Sequence, residues 1–290
     1  MNKRKLLFVI NPIAGTGNNQ KVEKLIHQNL DVALFEYEVF YTEHARQAAQ
    51  LAELMPLEKF DAVVAVGGDG TVREVARNLV NKPIALGIIP MGSGNGLARH
   101  LEIPLTTKDA IRKINTWPER QIDTAKINNH FFVNVAGTGF DAEVSRRFAQ
   151  RAKRGFWTYL SLTLSSYLNY APKEYIIQLD GKEKHITAFL IAIANSSQYG
   201  NNAYIAPSAS TEDGLLDITI LKPFSLLQIP ALAYLLFRKR IDRHKAIETM
   251  KARNIQIKHV ANSAHYDGDY FNCSETLNIE AVPGSLQVIA

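Results

Sequence analysis

The chain has a single cysteine, Cys273, which excludes an internal disulfide framework and favours a reducing compartment. No Gly-x-x-x-x-Gly-Lys-Ser/Thr element occurs, so a P-loop is disfavoured. The eight histidines form no cluster and give no metal-ligand spacing. Internal repeats, low-complexity tracts and a disordered tail are also missing. Net charge is modest at +5; it suits anionic ligands such as nucleotides, or an anionic lipid surface, and does not demand nucleic acid. The start, Met1 to Ile10, is basic and then apolar, but its apolar run is too short for a signal peptide and passes directly into Asn11 and Pro12. It reads as a first strand.

What is present is an ordinary globular composition, 46% hydrophobic and 21% charged over 290 residues. That length exceeds one typical core and predicts two domains. The stretch from Asp61 to Glu74 organises the first of them. Val63, Val64, Ala65 and Val66 form a short β-branched run suited to a strand buried on both faces of a parallel sheet. Gly67 and Gly68 end it, and Val72, Val75, Ala76, Leu79 and Val80 then recur at helical spacing. Such a strand, turn and helix suit a phosphate: the glycines let backbone N–H groups approach an anion, the helix N-terminus adds partial positive charge, and Thr71 can cap or bond a phosphate oxygen. Asp69 is the odd member, because a carboxylate in an anion nest repels phosphate, and it reads as a magnesium-facing or chemistry-facing group. A plain Gly-Asp-Gly turn is the alternative; the helical period after it argues against a hairpin. As a turn carboxylate outside the core, Asp69→Asn is expected to remove turnover with little change in folding.

Before this element, strand one is Leu6 to Ile10, the turn Asn11 to Gly17 follows, and Val22, Leu25, Ile26 and Leu30 mark a helix. Phe35, Tyr37, Val39 and Tyr41 give a second strand ending at Thr42. Ala48, Leu51, Ala52 and Met55 predict another helix, stopped by Pro56. After it come a strand Ile84 to Ile89, a turn Pro90 to Gly96 and a short helix through Leu101. This βαβα order predicts a parallel sheet with helices on both faces over residues 1–120, with ligands at the strand carboxyl ends where the Gly-rich turns fall. Over residues 121–290 strands dominate: Phe131 to Val135, Tyr175 to Leu179, Ala188 to Ala194, Leu216 to Leu221, Ile255 to Lys258, Leu277 to Ala281 and Leu286 to Ile289. The fold class is therefore α/β followed by a mainly antiparallel β domain with helical insertions. Asp180 and Gly181 read as a plain hairpin turn.

Two insertions carry an interfacial character. Phe156 to Leu168 is apolar and aromatic, preceded by Arg146, Arg147, Arg151, Lys153 and Arg154; Pro223 to Phe237 is apolar, interrupted by Pro230, and followed by Arg238, Lys239, Arg240, Arg243 and Lys245. Neither is long enough to span a bilayer. Apolar faces beside basic clusters suit docking on anionic lipid, and a buried helix with a solvated charged end is the alternative.

Taken together, Asn11-Pro-x-x-Gly15, Gly67-Gly-Asp-Gly-Thr71 with Glu74, Pro90-x-Gly-Ser-Gly-Asn95 with Ala98 and Arg99, Phe132-x-Asn134, Gly137-x-Gly-x-Asp141, Asp213-Gly-Leu-Leu-Asp217 and Asp267-Gly-Asp269 resemble the diacylglycerol kinase catalytic family, which includes bacterial soluble lipid kinases and sphingosine kinases and is distantly related to NAD kinases. The match covers nearly the whole chain in the right order. The Gly67–Thr71 element alone is shared with NAD kinases; the late Asp-Gly elements point to the lipid branch.

The resemblance implies an ATP-binding α/β domain, a β-sandwich-like lipid domain and a cleft between them. It implies ATP contacts at Asn11, Pro12, Ile13, Ala14 and Gly15, at Thr42, at Gly67, Gly68, Asp69, Gly70, Thr71 and Glu74, and at Ser93 and Asn95. A structural Mg²⁺ site maps to the Asp213 carboxylate with backbone carbonyls at Ser210 and Leu215, donors suited to that hard cation. The family's Asn-Asp is Asn95-Gly96 here, resembling the small residue of sphingosine kinases. Its Asp-Gly-Glu, whose glutamate is the proposed general base, is Asp267-Gly268-Asp269, one methylene shorter. A hairpin turn is the alternative reading of both Asp-Gly elements.

The implied activity is transfer of the ATP γ-phosphate to a lipid hydroxyl, diacylglycerol giving phosphatidic acid. Asp269 serves as base, and Asp69 orients a catalytic Mg²⁺ or the hydroxyl. A sphingoid or ceramide-type acceptor, an NAD kinase-like activity and a catalytically silent nucleotide- or lipid-binding module stay open as alternatives. Expected partners are ATP, a lipid alcohol and, transiently, an anionic membrane, for a cytoplasmic, peripherally membrane-associated protein; a homodimer is left open.

Overall fold

The apolar runs of the first part become strands without a solvent face. In β1 (Arg4–Ile10) residues Leu6 to Ile10 are buried, and β3 (Ala62–Gly67) and β4 (Ala85–Pro90) are buried at every position. Strands of this kind need cover on both faces. A computed structural model describes residues 3–14, 19–44, 46–149, 165–167, 170–258 and 263–290, and divides the chain into a unit of Met1–Ile122 with Gly284–Ala290 and a second unit of Asp123–Pro283.

In the first unit β2 (Phe35–Tyr41) takes the edge, as its mixed burial requires, and the parallel order is β2-β1-β3-β4. Gly87 lies opposite Val64, whose Cγ2 would be 2.8 Å from any added Cβ; the glycine lets the neighbouring strands keep their spacing. The helices are α1 (Asn19–Asn29), α2 (Leu51–Leu54), α3 (Asp69–Leu79), α4 (Gly96–His100) and α5 (Thr107–Thr116). Packing of α1 with α5, and of α3 with residues 47–54, gives the two helical layers of a three-layer α/β unit. The helix expected from Ala48 to Met55 is shorter than its pattern: a 3-10 turn, Gln47–Gln50, precedes the single turn of α2, and Ala52 is exposed. Arg46, at φ +67°, breaks the backbone before it and Pro56 stops it.

The second unit is antiparallel. Its strands are the end of β5 (Glu119–Ile127), then β6 (His130–Phe132), β7 (Val135–Gly139), β8 (Lys173–Leu179), β9 (Lys182–Ala188), β10 (Leu190–Ala194), β11 (Leu216–Leu221), β12 (Ile247–Ala252), β13 (Asn254–Lys258), β14 (Ser263–Tyr266), β15 (Asp269–Asn272) and the first part of β16 (Thr276–Ile289). One sheet runs β12-β11-β10-β7-β14-β15; in the other, β13 lies between β16 and β8, and β9 follows β8. Ile191, Ile193 and Ile218 of the first sheet share one core with Ile177, Ile257 and Leu277 of the second, which makes the unit a sandwich. The alternate residues of β10, Leu190, Ala192 and Ala194, enter a second core with Phe140 of α6 (Phe140–Ala149) and Leu232 of α7 (Ile229–Phe237).

Two departures from the sequence pattern have physical causes. The run Phe131 to Val135 is split between β6 and β7, because the Val133 and Asn134 N–H groups donate to the Asp267 carboxylate at 3.0 and 2.9 Å and not to a strand ladder. Pro230 does not interrupt its apolar stretch. It lies in the first turn of α7, where its missing N–H has no intrahelical partner to lose and its fixed φ suits the helix.

Gly137 of β7 is a crowded backbone position of the sandwich. A Cβ there would lie 2.6 Å from the Ile191 carbonyl oxygen, 2.8 Å from Asp141 Oδ2 and 3.2 Å from His265 Nε2. Gly137→Ala is therefore expected to lower stability by about 1–3 kcal/mol, read as a lower urea midpoint. An unchanged midpoint would mean that β7 yields freely.

Candidate functional site

The glycine turns gather because strands β1 to β4 are parallel, so their carboxyl ends share one edge. Asn11 leaves β1, Thr42 leaves β2, Gly67 to Thr71 follow β3, and Ser93 to Asn95 follow β4. Asn11 Nδ2 donates to Thr71 Oγ1 at 3.0 Å, and Asn11 Oδ1 accepts the Ile13 N–H at 3.2 Å, closing an Asx turn over Pro12. Ala14 N–H returns to the Asn11 carbonyl at 3.1 Å, while Ile13 projects into solvent. Gly15 lies outside the described residues. Thr42 is buried, its N–H 3.0 Å from the Ile10 carbonyl.

Glycine at 67 and 68 follows from crowding. A Cβ on Gly67 would sit 2.5 Å from Thr71 Oγ1, and one on Gly68 would be 3.3 Å from the Gly92 Cα. The two turns touch backbone to backbone. Gly70, in contrast, has open space where a Cβ would project. The N-cap of α3 is Gly68, with no side-chain capping bond, so the helix meets this edge with its dipole uncapped by any side chain. Glu74 is one turn further along α3, half-buried, and Ser93 is exposed at the tip of the second turn.

Asp69 does not aim its carboxylate outward as a magnesium-facing group would. Oδ2 accepts the Asn95 N–H at 2.8 Å and Oδ1 the Gly96 N–H at 2.6 Å. It caps α4 from a different segment of chain, with Arg99 held alongside through its Nε bond to the Gly94 carbonyl at 3.1 Å. Burial raises the Asp69 pKa, against the pull of these N–H groups and of the Arg99 guanidinium. Asn95 completes the second turn at φ +51°: its Oδ1 accepts the Gly92 N–H at 3.0 Å and its Nδ2 donates to the Gly92 carbonyl at 2.8 Å.

In the second unit, Asp267 (φ +46°) and Gly268 (φ +85°) form the tight turn between β14 and β15. The hairpin reading holds for this pair, yet the turn does more. Asp267 accepts three backbone N–H groups, from Val133 at 3.0 Å, Asn134 at 2.9 Å and Val135 at 3.2 Å. That carboxylate is a clamp, and the next one along, Asp269, stands exposed at the start of β15. Behind the hairpin, His265 Nε2 lies 2.9 Å from Asp141 Oδ2, which also accepts the Tyr199 hydroxyl at 3.1 Å. Asp123 holds another turn, accepting the Gly214 N–H at 2.6 Å.

The residues expected to hold a structural Mg²⁺ do not fit it. Asp213 Oδ1 accepts the Leu215 N–H at 3.1 Å, and Oδ2 is 2.7 Å from the Lys251 ammonium. Among the described residues no group of three or more His, Cys, Asp or Glu side chains could hold a metal ion. No local pattern points to Lys251, Asp123 or the Asp267 clamp, since their partners are distant in the chain.

A parallel α/β unit with Gly-rich turns on one edge, joined to an antiparallel sandwich, defines an α/β-plus-β protein whose first unit is suited to anions. Residues 5–127 match the model of the diacylglycerol kinase catalytic domain, and residues 134–290 that of the YegS C-terminal NAD kinase beta sandwich-like domain. The chain is 30% identical to the diacylglycerol kinase of Mycobacterium tuberculosis, over 98% of this chain and 94% of that one. It is 29% identical to the diacylglycerol kinase of Bacillus subtilis, over 92% and 90%. A solved structure from Bacillus anthracis shares the fold at a TM-score of 0.81 and 25% identity, covering 100% of this chain and 96% of that one. The chain belongs to the diacylglycerol kinase family.

The two acceptor bonds of Asp69 revise the expected effect of its substitution on folding. Asp69→Asn sets an NH₂ donor against a backbone N–H donor, and stability is expected to fall by about 1–3 kcal/mol. Urea unfolding of the variant checks this; a midpoint equal to wild type would mean that the carboxylate contributes nothing net to the turn.

Proposed function

We propose that this protein transfers the γ-phosphate of ATP to the hydroxyl of a lipid alcohol, diacylglycerol giving phosphatidic acid. The observation that carries the proposal is the uncapped N-terminus of α3 at the meeting point of two close-packed Gly-rich turns, in a chain similar along almost all its length to a diacylglycerol kinase. Phosphoryl transfer depends on positioning and charge neutralisation more than on covalent participation. Backbone N–H groups at Gly68 to Thr71 hold the phosphates, with the turn from Asn11 to Gly15 and Thr42, Glu74, Ser93 and Asn95 around them. ATP arrives as its magnesium complex, the ion being part of the substrate and spreading charge over the phosphates. Asp69 is a positioning residue that fixes one glycine turn against the other.

Asp269 accepts the proton of the attacking hydroxyl. Asp269 is exposed at the start of β15, and the Asp267 clamp holds the neighbouring turn to the segment 133–135. Asp267, accepting three N–H groups, is the weaker candidate for base. Gly96, where other members carry aspartate, favours a sphingoid base as the second acceptor to try. A panel of lipid alcohols with NAD included, read by product mass, tests the assignment: phosphorylated diacylglycerol supports it, and turnover of NAD alone rejects it.

Membrane docking fits α7 and the turn before it. Leu227 is 91% exposed and Tyr234 63%, with Leu226 and Phe237 also open to solvent; Leu232 is the one buried residue of the helix. Leu235 and Leu236 are partly buried and pack with Leu232 against the second core, so the helix has a buried side and an exposed one. No described helix is long and apolar enough to cross a membrane, so the exposed side chains suit the interface plane, with Arg238, Lys239 and Arg240 facing anionic headgroups at a cytoplasmic membrane surface. Arg146 and Arg147 contribute less than their number suggests, since both pair with Glu143 at 2.8 and 2.7 Å. The other insertion, Phe156 to Leu168, with Arg151, Lys153 and Arg154, lies almost wholly outside the described residues.

Two predictions follow the chemistry. Asp269→Asn should lower kcat by about 10²–10⁴ with ATP affinity little changed; a kcat near wild type would remove Asp269 as base. Sedimentation should find the protein on anionic vesicles and not on neutral ones, less so as salt rises, and Leu227→Asp should weaken it. Equal binding to both vesicle types would reject the basic-cluster account.

A further inference from the structure

The turn before β11 is held from several directions. Asp123 N–H donates to the Thr211 carbonyl at 2.6 Å, and Gly214, at φ +71°, returns its own N–H to Asp123 Oδ2 at 2.6 Å. Ser210 Oγ accepts the Glu212 N–H at 3.2 Å, and Asp213 Oδ1 accepts that of Leu215 at 3.1 Å. These bonds shape the loop but leave two carboxylates, Asp213 and Asp217, close together and in need of a cation. Asp217 side-chain exposure is 6%, and an uncompensated carboxylate there would be costly.

The cation comes from the neighbouring strand. Register sets Lys251 of β12 directly opposite Asp217 of β11, so both side chains rise from the same face of the sheet. The Lys251 ammonium lies 2.7 Å from Asp213 Oδ2 and 3.2 Å from Asp217 Oδ2. Ser208 donates its hydroxyl to the other Asp217 oxygen at 3.0 Å. Burial works against the ammonium, but the two carboxylates outweigh it and hold the Lys251 pKa above its usual value; burial likewise raises that of Asp217, opposed by Lys251 and Ser208. A divalent ion on the Asp213 carboxylate would have to displace this ammonium or face it across a few ångströms, and Mg²⁺ also demands near-ideal octahedral oxygens at short range.

We infer that Lys251 is the resident cation of the Asp213 turn, an internal ammonium doing there what a divalent metal would otherwise do. The turn is therefore locked by folding alone, independent of metal supply and of any reaction the protein catalyses. An atom in the position of the lysine Nζ touches both carboxylates, so its removal also opens a pocket of two acidic side chains to an external cation.

Thermal melting of the full chain tests this without ATP or lipid, so that its outcome is separate from that of the kinase proposal. Wild type should melt at the same temperature in EDTA and in a MgCl₂ titration at matched ionic strength. Lys251→Met in EDTA should melt lower by about 2–4 °C or more, and Lys251→Arg should retain the metal insensitivity of wild type. A gain in Lys251→Met melting temperature that saturates with MgCl₂ would add that the ammonium occupies a metal-competent position. Saturable stabilisation of wild type by MgCl₂ overturns the inference, as does a Lys251→Met protein that melts with wild type. If Lys251→Met does not fold, the wild-type titration still decides.

Discussion

The Asp69 carboxylate, accepting the Asn95 and Gly96 N–H groups at 2.8 and 2.6 Å, is the constraint on which the first unit's glycine edge depends. A carboxylate among anion-binding glycines is electrostatically awkward on its own. Turned toward the N-terminus of α4 it becomes a cap for that helix and a tie between turns that leave different strands. The tie brings Gly68 and Gly92 so close that neither could carry a side chain without displacing the other. Because the negative charge is spent on N–H groups of α4, the N-terminus of α3 keeps its own for a ligand. One residue thus reconciles a compact double turn with an edge that still favours anions.

The sandwich uses the same device more than once. Asp267 gathers three N–H groups and thereby interrupts what the apolar pattern offered as one strand, while Asp123 holds Gly214 and Asp180 accepts the Arg253 and Asn254 N–H groups. Asn195 adds a neutral version, donating to the Asp123 and Val133 carbonyls at 2.9 Å each. Carboxylates and amides satisfied by backbone donors rigidify loops that apolar packing alone would leave free. Asp269 is the acid next to such a clamp, which makes its position, and so its reach, a property of the β14–β15 hairpin and of segment 133–135 together.

Substitution of a side-chain ammonium for a metal at the Asp213 turn belongs to the same economy of charge. A lysine delivered by strand register arrives with the fold, whereas a metal must be bound from solution, its affinity subject to pH and competing ligands. Apolar exposure on α7 has a different logic: Leu232, with Leu235 and Leu236 beside it, anchors the helix in the second core, while Tyr234 and Phe237 stay open to solvent, and exposed apolar side chains of this kind suit an interface.

By itself the sequence determined strands β1 to β4, β8, β10, β11, β13 and β16, helices α1, α3 and α4, and the location of the glycine turns. These follow from local regularities: β-branched runs at β3 and β4, period 3.6 along α3, and glycine where the backbone must turn or be approached. Parallel order then put the turns on one edge, so the gathering of Asn11, Thr42, Thr71 and Asn95 there was legible as well. Tertiary structure alone decided what each acid does. Asp69, Asp213 and Asp267 look alike in sequence, each beside a glycine, and their roles depend on donors 26 to 134 residues away. A carboxylate accepts whatever donor the fold brings within 3 Å, and only the packed backbone determines which donor that is.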